Sequence, residues 1–187
     1  SRDDVTRDIN NEVLIMEYEK LIAERYSVRN FKPEHLSDEC ISKILDAAHK
    51  APTGCNNQPQ RILVINNDES LEKLKECTRC HFDAPCAMLI CYNEDECWTR
   101  PYDGAQCGIV DASIVTTHMM LQAWELGIGS TWVMHFNPFK MSEAFAIPEH
   151  IEPVALLVMG YPAPDAVPNE RHTAYRPTEE TVFYNKF

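Results

Sequence analysis

Two short segments of this chain carry side chains that could bind an anion beside a neutral polar group. In the first, Arg25, Ser27 and Arg29 occupy alternate positions, so in extended backbone their side chains lean to the same side. Two guanidinium groups and a hydroxyl in this arrangement suit a phosphate, which they can bind through charge-assisted hydrogen bonds. Tyr26 lies between them and belongs to the same candidate site. Taken alone, the two arginines would more often be solvated surface charges.

The second segment, residues 51–59, offers uncharged donors and acceptors on a loop rich in turn-forming residues. Its candidate binding residues are Pro52, Thr53, Asn56 and Gln58. Amide side chains bind carbonyl or imide edges and sugar-like hydroxyls without carrying charge. The two segments together predict a ligand with a phosphate at one end and a heteroaromatic or polyol group at the other. Alone, the loop would more often be an ordinary turn.

The spacing of apolar residues predicts helices that alternate with short strands around these segments. A helix over residues 13–24 leads into the arginine segment, and a second helix begins after the N-cap Ser37 and ends before Pro52. A charged helix is predicted at residues 70–75. Strands are predicted at residues 61–66, 86–92, 129–134 and 154–159.

Residues 105–126 form a predicted helix that has no broad polar face. Such a helix is central in a fold or lies at a dimer interface. Gly127 ends it, and Gly129 in the following strand allows close approach by another backbone or by a planar ligand. That strand carries three further candidate binding residues, which are Trp132, Val133 and Met134.

Two segments are predicted to lie outside the core. The proline-rich residues 162–177 cannot form a long helix and should wrap a surface, and residues 181–184 can add a strand. This tail could cross to a partner chain. The polar residues 93–103 could form part of a lid.

Composition favours an enzyme over a nucleic-acid-binding or membrane protein. Seventeen Lys and Arg against 29 Asp and Glu give a formal net charge of −12, which disfavours general affinity for nucleic acid or anionic membrane. No apolar run approaches the ~20 residues that span a bilayer, and residues 1–4 are polar rather than signal-like. We expect one cytoplasmic domain over residues 1–187, with a polar N-terminal tail at about 1–11 and a wrapping C-terminal tail at 162–187.

Eight cysteines raise the question of a metal site or disulfides. Cys77 and Cys80 have the spacing of half a zinc site, but Cys86 and Cys91 lie in a predicted buried strand, where free cysteine behaves as a small hydrophobe. We expect no metal and reduced cytosolic thiols. Cys97, next to Trp98, is expected to be partly exposed.

Two histidines have alternative interpretations. His118 lies in the apolar helix and is expected to be a hydrogen-bonded core residue. His135 follows the strand that contains Met134, where it could donate a proton or cap the loop.

The chain resembles the nitroreductase-like FMN-dependent flavoproteins through several motifs in the order and spacing of that family. They are Arg25-Tyr26-Ser27-Val28-Arg29 followed by Ala51 to Pro59, then Gly127 to Trp132, Gly160-Tyr161-Pro162, and Arg176 to Glu180. The resemblance implies an α+β fold with a mixed, mainly antiparallel sheet flanked by helices and a long central helix. It also implies an intertwined homodimer that holds FMN at the subunit interface.

The resemblance assigns roles to the candidate residues. Arg25, Ser27 and Arg176 would bind the FMN phosphate, and Arg29 would lie towards the pyrimidine end of the flavin. The residues from the loop of the other subunit would be Thr53, Asn56 and Gln58. Residues 132–134 would back the isoalloxazine, with a backbone N–H near Met134 at flavin N5. Gln60 departs from the family's usual tryptophan, and Cys77 and Cys80 replace ring-contacting residues of some members.

The implied activity is hydride transfer from NADH or NADPH through FMN to a small acceptor such as a nitroaromatic or quinone, by ping-pong turnover, with no essential acid or base. Two alternatives remain open from the sequence. One is a specialised reductive enzyme, for example a dehalogenase, with residues 93–103 as a lid. The other is a flavin-binding or redox-sensing protein with slow turnover that uses Cys97 as a reactive thiol.

Overall fold

The computed structural model describes residues 17–187 and places four strands in one sheet. The strands are β1 (Gln60–Ile65), β2 (Cys86–Asn93), β3 (Gly129–Val133) and β4 (Ile151–Gly160). Their order is β1-β2-β4-β3, and each neighbouring pair is antiparallel. A parallel element is present as an isolated bridge between Ser27 and Ser130. The predicted mainly antiparallel sheet is therefore confirmed.

Helices cover both faces of this sheet. They are α1 (Tyr18–Glu24), α2 (Asp38–Lys50), α3 (Asp68–Cys77), α4 (Gly108–Glu125) and α5 (Pro138–Ala144). All eight residues of β2 are buried, because alternate side chains enter two different apolar clusters. Met88 packs with residues of α2 and α4, whereas Leu89 packs with residues of α3 and α5. The predicted α+β architecture with a long central helix is thus confirmed.

Local sequence signals fix most of the helix ends. Ser37 caps α2 as predicted, and its hydroxyl accepts a hydrogen bond from the Cys40 backbone N–H at 3.2 Å. Gly127 follows α4 with a φ of 75°, a conformation that glycine adopts without strain. Of the predicted helix at residues 13–24, residues 18–24 are helical, residue 17 is the N-cap of α1, and residues 13–16 lie outside the described residues.

Three details of the fold differ from the prediction. The helix α5 was not predicted, although Asn137 followed by Pro138 is a helix-start signal, and the Asn137 side chain accepts hydrogen bonds from two backbone N–H groups of α5. β4 begins before residue 154 because Pro153 fits at a point where the register with β2 shifts. The strand expected at residues 181–184 is absent from the described chain, where this segment is exposed and irregular.

The apolar helix α4 is central, but part of it faces outwards. Val115 and Met119 are fully buried against the sheet and α2. Ile109 and Val110, near its start, are 59% and 54% exposed. Among the helices of residues 17–187, none has the length and apolar character needed to cross a membrane.

Candidate functional site

The first candidate site is a cavity of about 530 Å³ beside the arginine segment, called cavity A below. The predicted residues Arg25, Tyr26, Ser27 and Arg29 line one side of it. Residues 169–172 line the other side and contribute Arg171, His172 and the carboxylate of Glu170. Three guanidinium groups therefore meet around one opening.

Pairing with β3 sets the direction of the arginine segment. The Val28 N–H donates to the Ser130 carbonyl at 3.0 Å, and the Thr131 hydroxyl donates to the Val28 carbonyl. Val28 is fully buried, so its neighbours Ser27 and Arg29 must point outwards from extended backbone. A Cβ on Gly129 would stand 2.5 Å from Val28 Cγ2, which makes glycine necessary for this approach. Arg25, Ser27 and Arg29 all line cavity A, and Tyr26 lines it with them, so two-residue alternation accounts for only part of this wall.

The C-terminal tail brings Arg171 to cavity A. The Tyr26 hydroxyl donates to the Ala166 carbonyl at 3.1 Å, and the Asn30 side chain donates to Asp165 at 2.8 Å. The His172 ring nitrogen Nε2 lies 3.3 Å from the Ala23 carbonyl. The tail therefore returns along the arginine segment and forms the second wall of the cavity.

Arg176, which the sequence placed at the phosphate, does not line cavity A. Its side chain is 78% exposed and pairs with Glu180 at 3.3 Å. In the described chain, the tail arginine that lines cavity A is Arg171. No motif signals Arg171, because only the return of the tail brings it close to Arg25.

The amide loop lies apart from cavity A and has unusual backbone geometry. Cys55, Asn56 and Gln58 have φ values of 51°, 56° and 52°, in the left-handed region that costs a residue other than glycine of order 1–3 kcal/mol. Two hydrogen bonds brace the loop: Gln58 N–H donates to the Thr53 hydroxyl at 3.0 Å, and the Gln58 side chain donates to the Asn56 carbonyl at 3.3 Å. Pro52, Asn56 and Gln58 are exposed and Thr53 is half-buried.

Asp111 on α4 anchors this loop to the core. Its side chain is 2% exposed, and Oδ1 accepts a hydrogen bond from the Gly54 N–H at 2.9 Å. The other carboxyl oxygen, Oδ2, is buried and has no hydrogen-bond partner among the described residues. Asp111 was not among the predicted site residues, although an acidic residue in the first turn of a long apolar helix is a signal that could have identified it.

The end of β3 borders a second cavity, called cavity B, of about 590 Å³. It is lined by residues 75–79, which end α3 and lead out of it, and by residues 134–140, which connect β3 to α5. Met134 is 61% exposed at its edge, Trp132 is half-buried, and Val133 is buried in the core. The Trp132 indole N–H points to the Met134 sulfur at 3.2 Å.

The basic residues fall into two groups when their ion pairs are considered. Within residues 17–187, most lysines and arginines pair with a carboxylate. Five that form no ion pair with a described carboxylate line one of the two cavities: Arg25, Arg29 and Arg171 at cavity A, and Arg79 and Lys140 at cavity B. Lys32 and Lys186 are the other two without such a pair in this part of the chain.

Four of the eight thiols are buried, those of Cys77, Cys86, Cys91 and Cys97. All eight cysteines are free, and within residues 17–187 no group of three or more His, Cys, Asp or Glu could hold a metal ion. Burial raises the pKa of Cys86 to about 12, and burial together with Glu152 raises the pKa of Cys91 to about 12.

The expectations for Cys97 and His118 are wrong, whereas both interpretations of His135 stay predictions. Cys97 is 9% exposed and its thiol lies 3.4 Å from the Glu94 carbonyl, so it lacks the exposure that a reactive thiol needs. His118 is half-buried, and its ring makes no hydrogen bond to another described residue. His135 is exposed, and its carbonyl accepts a hydrogen bond from the Thr78 hydroxyl at 2.5 Å.

Comparison with known proteins gives a consistent assignment. The Nitroreductase family profile matches residues 22–89 and 79–161. A relative from Methanothermobacter thermautotrophicus, provisionally named an NADH dehydrogenase/NAD(P)H nitroreductase, is 31% identical over 166 residues and covers 85% of this chain and 84% of that protein.

Solved structures agree in fold. A nitroreductase family protein from Clostridium difficile 630 is 44% identical, with a TM-score of 0.87, covering 92% of this chain and 100% of that chain. A Desulfovibrio desulfuricans protein, solved in complex with FMN, is 26% identical with a TM-score of 0.73, covering 90% of this chain and 96% of that chain. The matched motifs, the fold and the family profile together establish that this chain belongs to the nitroreductase family.

Proposed function

We propose that this protein is an FMN-dependent NAD(P)H oxidoreductase. The observation that carries the proposal is the placement of five unpaired cations at two cavities on opposite ends of β3. From Ser130, beside cavity A, to Met134, beside cavity B, the extended chain covers about 13 Å. A ligand with an anionic end and a planar end can follow this strand from one cavity to the other.

The residues present fit FMN. Cavity A offers Arg25, Arg29, Arg171 and the Ser27 hydroxyl to a phosphate, and in a chain with 29 acidic residues this local positive charge is needed to hold an anion. Residues 132–134 would lie along the ring, with a backbone N–H near Met134 facing its reactive nitrogen. Arg176 would join the phosphate only if it left its ion pair with Glu180. The relative solved in complex with FMN supports flavin binding by this chain.

A second copy of the chain would complete the site. Asn56 and Gln58 are exposed and line neither cavity A nor cavity B of their own chain, so they are available to a flavin held by a partner. Exposed Ile109 and Val110 on α4 give an apolar surface for that contact. We therefore propose one domain over residues 1–187 that acts as a homodimer with FMN at the interface.

FMN, when bound, supplies hydride acceptance and donation. The protein's own residues would hold its phosphate, orient its ring and place positive charge near it. NADH or NADPH would be the donor and a nitroaromatic or quinone the acceptor, each using the same opening in turn. No side-chain acid or base is assigned a role. Eight free thiols and a nicotinamide donor suit the reducing cytoplasm.

The test is the visible absorption spectrum of the purified protein with added FMN, before and after anaerobic NADH or NADPH. We expect flavin bands that bleach on reduction. Replacing both Arg25 and Arg29 by Gln should remove most of the bound flavin, because two of the three guanidinium groups of cavity A are lost.

The matched control is Lys32→Gln, which removes an exposed, unpaired cation outside both cavities and should leave flavin content unchanged. A colourless protein after reconstitution, or full flavin content in the double arginine variant, would contradict the proposal.

A further inference from the structure

Among the methionines of residues 17–187, Met134 is the one whose side chain is exposed. Its exposed fraction is 61%. Met120 is half-buried, and the other methionines of this part of the chain are fully buried, namely Met88, Met119, Met141 and Met159. A methionine thioether is oxidised to a sulfoxide by small oxidants, and a side chain open to solvent meets them more often than one in a packed core. Burial therefore distinguishes one sulfur as a candidate modification site.

The chain holds this sulfur at a fixed place. Met134 directly follows β3, whose last residue, Val133, is 4% exposed, so the backbone leaves the core at this point. The Trp132 indole N–H donates to the Met134 sulfur at 3.2 Å. Two-residue spacing in extended backbone places both side chains on the same side of the strand. A thioether sulfur carries two lone pairs, so one such hydrogen bond leaves the other lone pair free to react.

The proposed function places an electron-transferring group beside this sulfur. Trp132, Val133 and Met134 would lie along the flavin ring, and Met134 also lines cavity B at the end of that strand. When molecular oxygen takes the place of the acceptor, the two electrons that NADH or NADPH delivers produce hydrogen peroxide. An oxidant would then form within the same cavity as the exposed thioether.

Resting on the proposed function, we propose that Met134 is oxidised in place to its sulfoxide by this hydrogen peroxide. In the first step, NADH, one proton and O₂ give NAD⁺ and hydrogen peroxide. In the second, a lone pair of the Met134 sulfur attacks one peroxide oxygen, an S–O bond forms and the O–O bond breaks. The other oxygen leaves as water with both protons of the peroxide, and the sulfur loses the two electrons that the peroxide gains.

Trp132 is positioned to stabilise the product. A sulfoxide oxygen is a stronger hydrogen-bond acceptor than a thioether sulfur, and the same indole N–H can donate to it. Oxidation also turns a flexible apolar side chain into a polar one where the ring would lie, so the FMN dissociation constant should rise by about threefold to tenfold. Because methionine sulfoxide is reduced enzymatically, the change is reversible. Flavin binding would thus weaken when oxygen rather than the usual acceptor takes the electrons.

The test incubates the flavin-loaded protein with NADH in air, with catalase present to destroy any peroxide that leaves the site. Peptide mass spectrometry then assigns the added oxygen to a residue. We expect Met134 to gain one oxygen about tenfold faster than the half-buried Met120, which is the internal control. Incubation with NADH under nitrogen, or in air without NADH, should leave Met134 unchanged.

The consequence for flavin binding is measured on the same samples after removal of the flavin. Titration with FMN should give a raised dissociation constant for the oxidised native protein, and treatment with methionine sulfoxide reductase should return it to the starting value. Met134→Leu keeps an apolar side chain of similar size that cannot be oxidised. Its FMN dissociation constant should be the same before and after incubation with NADH in air.

Three results would overturn the inference: equal oxidation of Met134 and Met120, loss of Met134 oxidation when catalase is present, or unchanged FMN affinity of the fully oxidised protein. Failure of the proposed function looks different, because a protein that holds no flavin refutes the function and the inference with it. A protein whose flavin bands bleach with NADH and return in air, but whose Met134 stays unoxidised, refutes the inference alone.

Discussion

Replacing Asp111 by Ala should weaken FMN binding although Asp111 lines neither cavity A nor cavity B. Its Oδ1 accepts the Gly54 N–H at 2.9 Å and is the contact that fixes the start of the amide loop to α4. The loop holds three residues other than glycine in the left-handed region, a geometry that persists only when surrounding contacts enforce it. Without the anchor, we expect the loop to populate other conformations.

The size of the expected loss of FMN affinity follows from the hydrogen bond that Asp111→Ala removes. Leaving a buried N–H without its acceptor costs about 1–3 kcal/mol, and the Gly54 N–H donates a part-buried hydrogen bond. Taking roughly 2 kcal/mol, and assuming that FMN binding must restore the loop, the FMN dissociation constant should rise about thirtyfold. The same loss should lower the melting temperature of the flavin-free protein by about 4–8 °C for a chain of this size.

Two variants separate loop anchoring from general damage to α4. Asp111→Asn keeps an oxygen that can accept the Gly54 N–H, so its FMN affinity should stay within a few fold of the native value. Thr116→Val removes a buried hydroxyl from the same helix that donates to the Ala112 carbonyl at 2.7 Å and does not touch the loop. It should lower stability and leave FMN affinity unchanged.

The assays are fluorescence titration of the flavin-free protein with FMN and a thermal melt of each variant. The reasoning is refuted if Asp111→Ala melts lower than the native protein but binds FMN equally well, because the remaining loop hydrogen bonds would then suffice. It is also refuted if Thr116→Val and Asp111→Ala weaken FMN binding to the same extent.

Two further predictions concern the tail and the buried thiols. Arg171→Gln should raise the FMN dissociation constant more than Arg176→Gln, because Arg171 lines cavity A and Arg176 pairs with Glu180. A larger effect of Arg176→Gln in the same titration would instead indicate that Arg176 binds the phosphate. The pKa values of Cys86 and Cys91 are raised to about 12 in the folded state, whereas thiols of the unfolded chain titrate near pH 8.5. Between these two pH values the unfolded chain loses protons that the folded chain keeps. The contribution of the two thiols to the free energy of unfolding is complete below about pH 8.5 and falls as the pH rises towards 12, by about 2 kcal/mol per thiol at pH 10. The measurement is urea unfolding at pH 8 and at pH 10. A variant with both cysteines replaced by Ala should lose less free energy of unfolding between these two pH values than the native chain does.

The elements that the sequence predicted well are those whose burial is uniform. All of β2 and the last seven residues of β4 are buried, so their apolar runs identify them from the sequence. The ends of β4 and the existence of α5 were harder to predict, because α5 has seven residues of which Met141 alone is buried. A helix of this length is too short to show the helical spacing of apolar residues, so its capping residue Asn137 is its clearest sequence signal.

The grouping of residues at cavity A is predictable where it is local in sequence and not where it depends on the return of the chain. Arg25, Ser27 and Arg29 are close together in the sequence and line the same cavity, and two-residue spacing in extended backbone gives Ser27 and Arg29 a common direction. Arg171 reaches the same cavity through contacts that join residues more than 100 positions apart, such as that between Tyr26 and Ala166. No pattern within a short window can encode such a contact.

Ion pairing adds information that the sequence does not carry. In a chain with 29 acidic and 17 basic residues, a lysine or arginine at a random surface position has many carboxylates within reach. Most of the described lysines and arginines do form an ion pair. A lysine or arginine that stays unpaired under these conditions carries a charge that no described carboxylate neutralises. Five of the seven such cations in residues 17–187 line cavity A or cavity B. An exposed ion pair contributes little to stability, so a cation kept unpaired at a cavity costs the fold almost nothing and leaves its charge available to an anionic ligand.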